Sequence, residues 1–110
     1  MILVVAALLA LTTGSCASNA AQDQFNAFLQ TIAKECRPLI IGSDNIGQAI
    51  VFNGLGARPE NYNNFLAQTS ALLNGSIPAN AYRNSLNNFL GGGTANDRSF
   101  DCIIAHLPQH

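Results

Sequence analysis

Charge is scarce in this chain. Only 10% of its 110 residues are Asp, Glu, Lys or Arg, five of them basic and six acidic. No basic stripe exists to displace counterions from phosphates, so nucleic acid is not an expected partner. Long apolar runs are missing too. The unbroken stretch Ile2 to Leu11 would span about 15 Å as a helix, half the hydrocarbon core of a bilayer. No segment alternates apolar and polar residues convincingly over four or more positions, so half-buried strands are not expected. The length leaves room for one domain and excludes a two-domain enzyme or a full βαβ nucleotide-binding fold. What is present in excess is asparagine, 13 residues, on an otherwise near-neutral chain.

The apolar residues are unevenly spread. Twelve of the first 16 positions are apolar, and the remainder of the chain has an ordinary globular content. An apolar core of this length followed by Thr12-Thr13-Gly14-Ser15 reads as a signal peptide over 1–15. Thr13-Gly14-Ser15-Cys16 resembles the lipobox of small Gram-negative bacterial lipoproteins, in which small residues precede a Cys that is lipidated and becomes the new first residue. Thr13 departs from that pattern, where an aliphatic residue is usual, and no Lys or Arg precedes the apolar run. The competing reading is ordinary cleavage after Ala17, at the small-x-small site Ser15-Cys16-Ala17. The resemblance implies a membrane tether through Cys16, a spacer reaching to residue 23, and a single domain over 24–110. Because Ala17 is not Asp, it also implies the periplasmic face of the outer membrane; with plain cleavage the protein is secreted or periplasmic. Asn74-Gly75-Ser76 is a glycosylation sequon that matters only in a eukaryotic secretory pathway.

With Cys16 assigned to lipid chemistry, Cys36 and Cys102 remain. Two cysteines in a small exported domain usually pair. A bridge closing so long a loop is worth about 4 kcal/mol in the chain-entropy account. The alternative is a metal site, because Cys102, His106 and His110 follow each other at i, i+4 spacing and Cys36 could complete the set. Pro108 breaks the helix between the histidines and His110 is terminal, so no metal and no cofactor are expected.

The domain reads as all-α, a bundle of four to five short helices clasped by one disulfide. Phe25, Phe28, Leu29, Ile32 and Cys36 lie on one face of a first helix over about 19–36. Pro38 stops it, and Pro38-Leu39-Ile40-Ile41 reads as a brief extended linker. Gly42-Ser43-Asp44 offers an N-cap for a second helix with Ile46, Ile50 and Val51 inward. Pro59 lies near the first turn of a third helix with the stripe Tyr62, Phe65, Leu66, Thr69, Leu72 and Leu73, and Asn74-Gly75 stops it. A fourth opens with Ser76-Ile77-Pro78, presents Ala79, Tyr82, Leu86, Phe89 and Leu90, and ends in Gly91-Gly92-Gly93. A fifth begins near Thr94-Ala95-Asn96-Asp97 and places Phe100, Ile103, Ile104 and Leu107 on one side. The pattern apolar-Asn-x-Phe-Leu recurs at Phe25–Leu29, Tyr62–Leu66 and Leu86–Leu90. Read plainly, it is one core seam used three times with Asn outward; read functionally, its aromatics Tyr62, Phe65, Tyr82 and Phe89 could line an apolar groove.

Catalytic machinery is absent from the pattern. There is no G-x-S-x-G motif, Glu35 and Glu60 are far apart, and His106 has no Asp at helical pairing distance. Gly91-Gly92-Gly93-Thr94 precedes a helix N-terminus but lacks a P-loop lysine, and Arg98 adds only slight support for an anion there. The expected function is a non-enzymatic, membrane-tethered interaction module (adaptor, assembly factor or inhibitor) whose partner is another envelope protein. The alternative is a carrier of a small apolar ligand. An exposed apolar surface favours the first, a closed cavity the second, and His106 beside Asp101 or a serine would favour a hydrolase.

Overall fold

The computed structural model describes residues 20–108, and the expected signal peptide, the lipobox-like segment, Cys16 and His110 lie outside them. Helix α1 covers 20–35, so residues 20–23 of the expected spacer form its exposed first turn rather than a free linker. Beyond it come β1 (Ile40–Ile41), β2 (Asp44–Asn45), α2 (Ile46–Val51), α3 (Pro59–Leu73), α4 (Ala79–Leu90), a 3₁₀ turn (Gly93–Asn96) and α5 (Asp97–Ala105). The architecture is the expected all-α bundle, with one minute antiparallel hairpin added.

That hairpin corrects the reading of 38–41 as a linker. Ile40 pairs with Asn45 and Ile41 with Asp44, leaving Gly42-Ser43 as the turn. Only glycine serves at position 42. Its φ is 63°, and a Cβ there would overlap the Leu90 carbonyl oxygen at the end of α4. Asp44 therefore does not cap α2. Asn45 does so, its side chain accepting from the Gln48 N–H. The Asp44 carboxylate turns the other way, accepting from the Arg58 N–H at 3.1 Å and from Asn61 Nδ2 at 2.6 Å. It thus satisfies one of the orphan donors at the start of α3, which has no local side-chain cap.

The core forms where the helical stripes meet the hairpin. Ile32, Leu39, Ile41, Ile46, Phe65, Tyr82, Leu86, Phe100 and Ile103 are fully excluded from solvent. α3 and α4 form a helical hairpin whose one buried hydroxyl pair, Thr69 and Tyr82, is joined at 2.8 Å. Tyr82 meets Phe100 edge-on at 5.9 Å, which locks α5 against α4. A buried Asn96 holds the opposite end together. Its Oδ1 accepts from the Gly42 N–H, and its Nδ2 donates to Asn87 Oδ1 and to the Gly91 carbonyl. One carboxamide thus joins the β-turn, the end of α4 and the 3₁₀ turn. Gly92 must be small for the same reason, since a Cβ there would stand 2.6 Å from Asn96 Oδ1.

Candidate functional site

The expected pair is bonded: Cys36 and Cys102 form a disulfide with Sγ–Sγ 2.10 Å, joining the end of α1 to α5. Polar contacts reinforce this junction. Arg98 donates to the carbonyls of Arg37 and Pro38, and Ser99 Oγ donates to the Ile40 carbonyl. Arg98 is therefore committed to main-chain oxygens, which removes the slight case for an anion at the Gly91–Gly93 loop. His106 follows α5 directly. Its Nδ1 stands 2.9 Å from the Cys102 carbonyl oxygen and 3.8 to 3.9 Å from the two sulfurs. Among the described residues it sits against the disulfide, not beside Asp101, whose carboxylate pairs with Arg83.

The four aromatics proposed for a groove do not form one. Phe65 and Tyr82 are fully buried core residues, Tyr62 is half-buried, and Phe89 faces solvent at 51% exposure. The physical reason is a change of seam between helices. In α3 the aromatic of the repeated pattern points inward with the preceding tyrosine partly covered. In α4, Leu86 and Leu90 take the core positions and rotate Phe89 out. Asn87 then turns inward enough to accept from Asn96. Burial pushes the Tyr82 hydroxyl well above its ordinary value, with the Thr69 bond acting weakly in the other direction; partial burial raises that of Tyr62 as well. Both are neutral at any ordinary pH.

The surface that stands out includes one residue that the sequence pattern places inward. Val51, Phe52 and Leu55 are exposed to 58%, 57% and 69%, three large apolar side chains within five residues. Val51 was expected in the core, but α2 is only six residues long and its buried face is spent on Ile46, Gly47, Ala49 and Ile50. The segment is not loose. The Phe52 N–H donates to the Gln48 carbonyl and the Gly54 N–H to the Ala49 carbonyl, while Gly56 accepts from Asn45. Asn53 and Gly54 adopt positive φ, 56° and 97°, which bends the chain sharply and holds the side chains outward.

Two half-open clefts flank this knuckle. One of about 610 Å³ is floored by Phe25, Leu29, Ile50, Tyr62 and Leu66. Its rim is built from the carboxamides Gln22, Asn26, Gln30, Asn53 and Asn63, and among the described residues no charged side chain lines it. The other, about 540 Å³, runs beneath Val51 and Phe52 and carries Lys34 and Arg37. The only hint in the sequence was the Asn-rich composition, which here supplies the uncharged rim. Among the described residues no helix is long and apolar enough to cross a membrane. No protein-family model, curated protein or solved structure matches the chain.

Proposed function

We propose that this protein is a non-enzymatic interaction module of the bacterial envelope, exported by residues 1–15 and tethered through a lipidated Cys16. Its working surface is the Val51–Leu55 knuckle with the adjoining uncharged cleft, and its partner is an apolar segment of another envelope protein. The observation that carries this reading is the rigid exposure of Val51, Phe52 and Leu55 beside that cleft. Exposed apolar side chains held by main-chain hydrogen bonds lose little entropy on docking, which is what a binding site requires.

The test is site-specific photo-crosslinking in the native envelope. A photoreactive residue at Phe52 is expected to yield one discrete protein adduct, while the same residue at the exposed Phe89 yields none. Equal labelling from both positions, or no adduct at Phe52, removes the reading. The tether is checked separately by Cys16→Ser, which should shift the protein from the membrane to the soluble fraction.

A second reading, a carrier of a small apolar ligand, draws on the volume of the carboxamide-rimmed cleft. About 610 Å³ falls within the range of small-molecule sites. Saturable binding of an apolar fluorophore, lost in Leu66→Gln but kept in Phe52→Ser, would favour it over the docking face.

A further inference from the structure

Two sulfurs and an imidazole converge where the first and last helices end. Cys36 follows α1 directly, and Cys102 and His106 are four residues apart across the last turn of α5. His106 Nδ1 lies 3.9 Å from Cys36 Sγ and 3.8 Å from Cys102 Sγ. Those separations have a metric meaning. In a tetrahedral zinc site with Zn–S near 2.3 Å and Zn–N near 2.0–2.1 Å, the N···S edge is about 3.6 Å and the S···S edge about 3.8 Å. Both N···S edges are therefore already close to the required length. Only the S···S edge is short, at 2.10 Å, because the sulfurs are bonded.

We propose that the reduced chain holds one Zn²⁺ ion through Cys36 Sγ, Cys102 Sγ and His106 Nδ1, exchanging a covalent clasp for a coordinate one. A dithiol reductant gives two electrons and two protons to the disulfide and is itself oxidised to a disulfide, leaving two thiols. Zn²⁺ then displaces both thiol protons to solvent. Coordination requires the ring proton on Nε2, so that the Nδ1 lone pair faces the ion in place of its present contact with the Cys102 carbonyl. Water fills the fourth position, reached through the exposed side of His106.

The surroundings favour a cation. The carboxyl ends of two helices, at residue 35 of α1 and Ala105 of α5, meet at this point, each presenting the negative pole of its dipole. The Glu35 carbonyl oxygen lies 3.9 Å from Cys102 Sγ and adds to the negative potential. Thiolates alone are disfavoured in such a place, and a dication beside them reverses that balance. The ligands come from both ends of the domain, so metal binding keeps α1 and α5 joined when the disulfide is open. None of these residues belongs to the Val51–Leu55 face, so this inference stands apart from the proposed docking function.

The experiment titrates the reduced full chain with Zn²⁺ against a chromophoric chelator, and with Co²⁺ by visible absorption. One ion per reduced chain is expected, bound at least about 100-fold more tightly than by the oxidised chain, with the absorption of tetrahedral Co²⁺ carrying thiolate ligands. Cys102→Ser should abolish binding, and His106→Ala should weaken it by at least about tenfold with loss of the tetrahedral spectrum. Should reduction unfold the chain, added Zn²⁺ is expected to restore its helical circular dichroism. Equal affinity of reduced wild type and His106→Ala, no gain on reduction, or an unfolded reduced chain that zinc does not rescue would each overturn the proposal.

Discussion

Asn96 shows how much one buried carboxamide can organise. It is almost wholly buried and serves three partners, one in the β-turn and two at the end of α4. Removing it leaves the partly buried Gly42 N–H and Gly91 carbonyl without that partner, at up to about 1–3 kcal/mol for such a group. Asn96→Ala is expected to lower unfolding stability by about 2–4 kcal/mol in urea titrations. Asn96→Asp should recover little, because a carboxylate keeps the bond from Gly42 and loses both donations. Tyr82 gives a pH signature. Burial raises its folded-state value, so the folded chain keeps the phenol proton after the unfolded chain has lost it at about pH 10. Its contribution is complete below that pH and is lost as pH rises further, with a limiting slope of about 1.4 kcal/mol per pH unit. Chemical denaturation between neutrality and strongly alkaline pH should show that fall. Tyr82→Phe should flatten it while lowering the neutral plateau by about 1 kcal/mol, for the unpaired Thr69 hydroxyl.

The elements are short, and each relies on a neighbour for what its own sequence cannot supply. α2 has six residues, too few to stand alone in water, and is anchored by the hairpin before it and the hydrogen-bonded turn after it. α3 takes its N-terminal acceptor from Asp44, fourteen residues upstream of Arg58. Asp44→Ala should therefore cost more than the loss of a surface ion pair, about 1–3 kcal/mol by thermal or urea unfolding, since it frees both the Arg58 N–H and the buried Asn61 amide. The Arg58 side chain is largely exposed, and its pairing with Asp44 at 3.8 Å adds little by comparison. The knuckle after α2 is the opposite case. Val51, Phe52 and Leu55 touch little of the core, so Phe52→Ser and Leu55→Ser should leave stability within about 0.5 kcal/mol. Either substitution should abolish the crosslink made next to it.

At the scale of the molecule, the disulfide closes most of the described chain into one loop, with a sequence separation of 66 between its cysteines. The loop-entropy account assigns it about 4 kcal/mol, a large part of what a domain this small can hold in total. Opening it in metal-free buffer should lower the denaturation midpoint markedly and loosen the junction of α5 with the 37–40 segment, which Arg98 and Ser99 then hold by hydrogen bonds while Phe100 and Ile103 stay in the core. Hydrogen exchange would show early loss of protection over Asp97–Ala105. The low charge also has a consequence for binding. A partner seated in a cleft without charged lining gains nothing from long-range attraction. Its affinity should change less than about threefold between low and high salt, in contrast to binding steered by Lys34 and Arg37 in the neighbouring cleft.

Much of the bundle is written in local pattern. Proline, glycine and helical periodicity place α3 and α4 to within a few residues, because those signals act within a turn or two of chain. The pairing of Cys36 with Cys102 followed from cysteine count and the expected compartment. What the pattern could not carry was anything decided by the direction of a side chain across space. The same apolar-Asn-x-Phe-Leu segment buries its Phe in α3 and exposes it in α4, because a rotation set by Leu86, Leu90 and Asn96 decides which face meets the core. Asp44 reads locally as a cap for the helix beside it and serves instead the helix after the next turn. The apolar knuckle was hidden for a related reason: hydrophobic composition does not say which residues are left over once a six-residue helix has filled its share of the core. Periodicity and covalent chemistry are properties of the chain by itself. The docking face, the Asn96 clasp and the convergence of His106 on the two sulfurs exist only where distant segments meet.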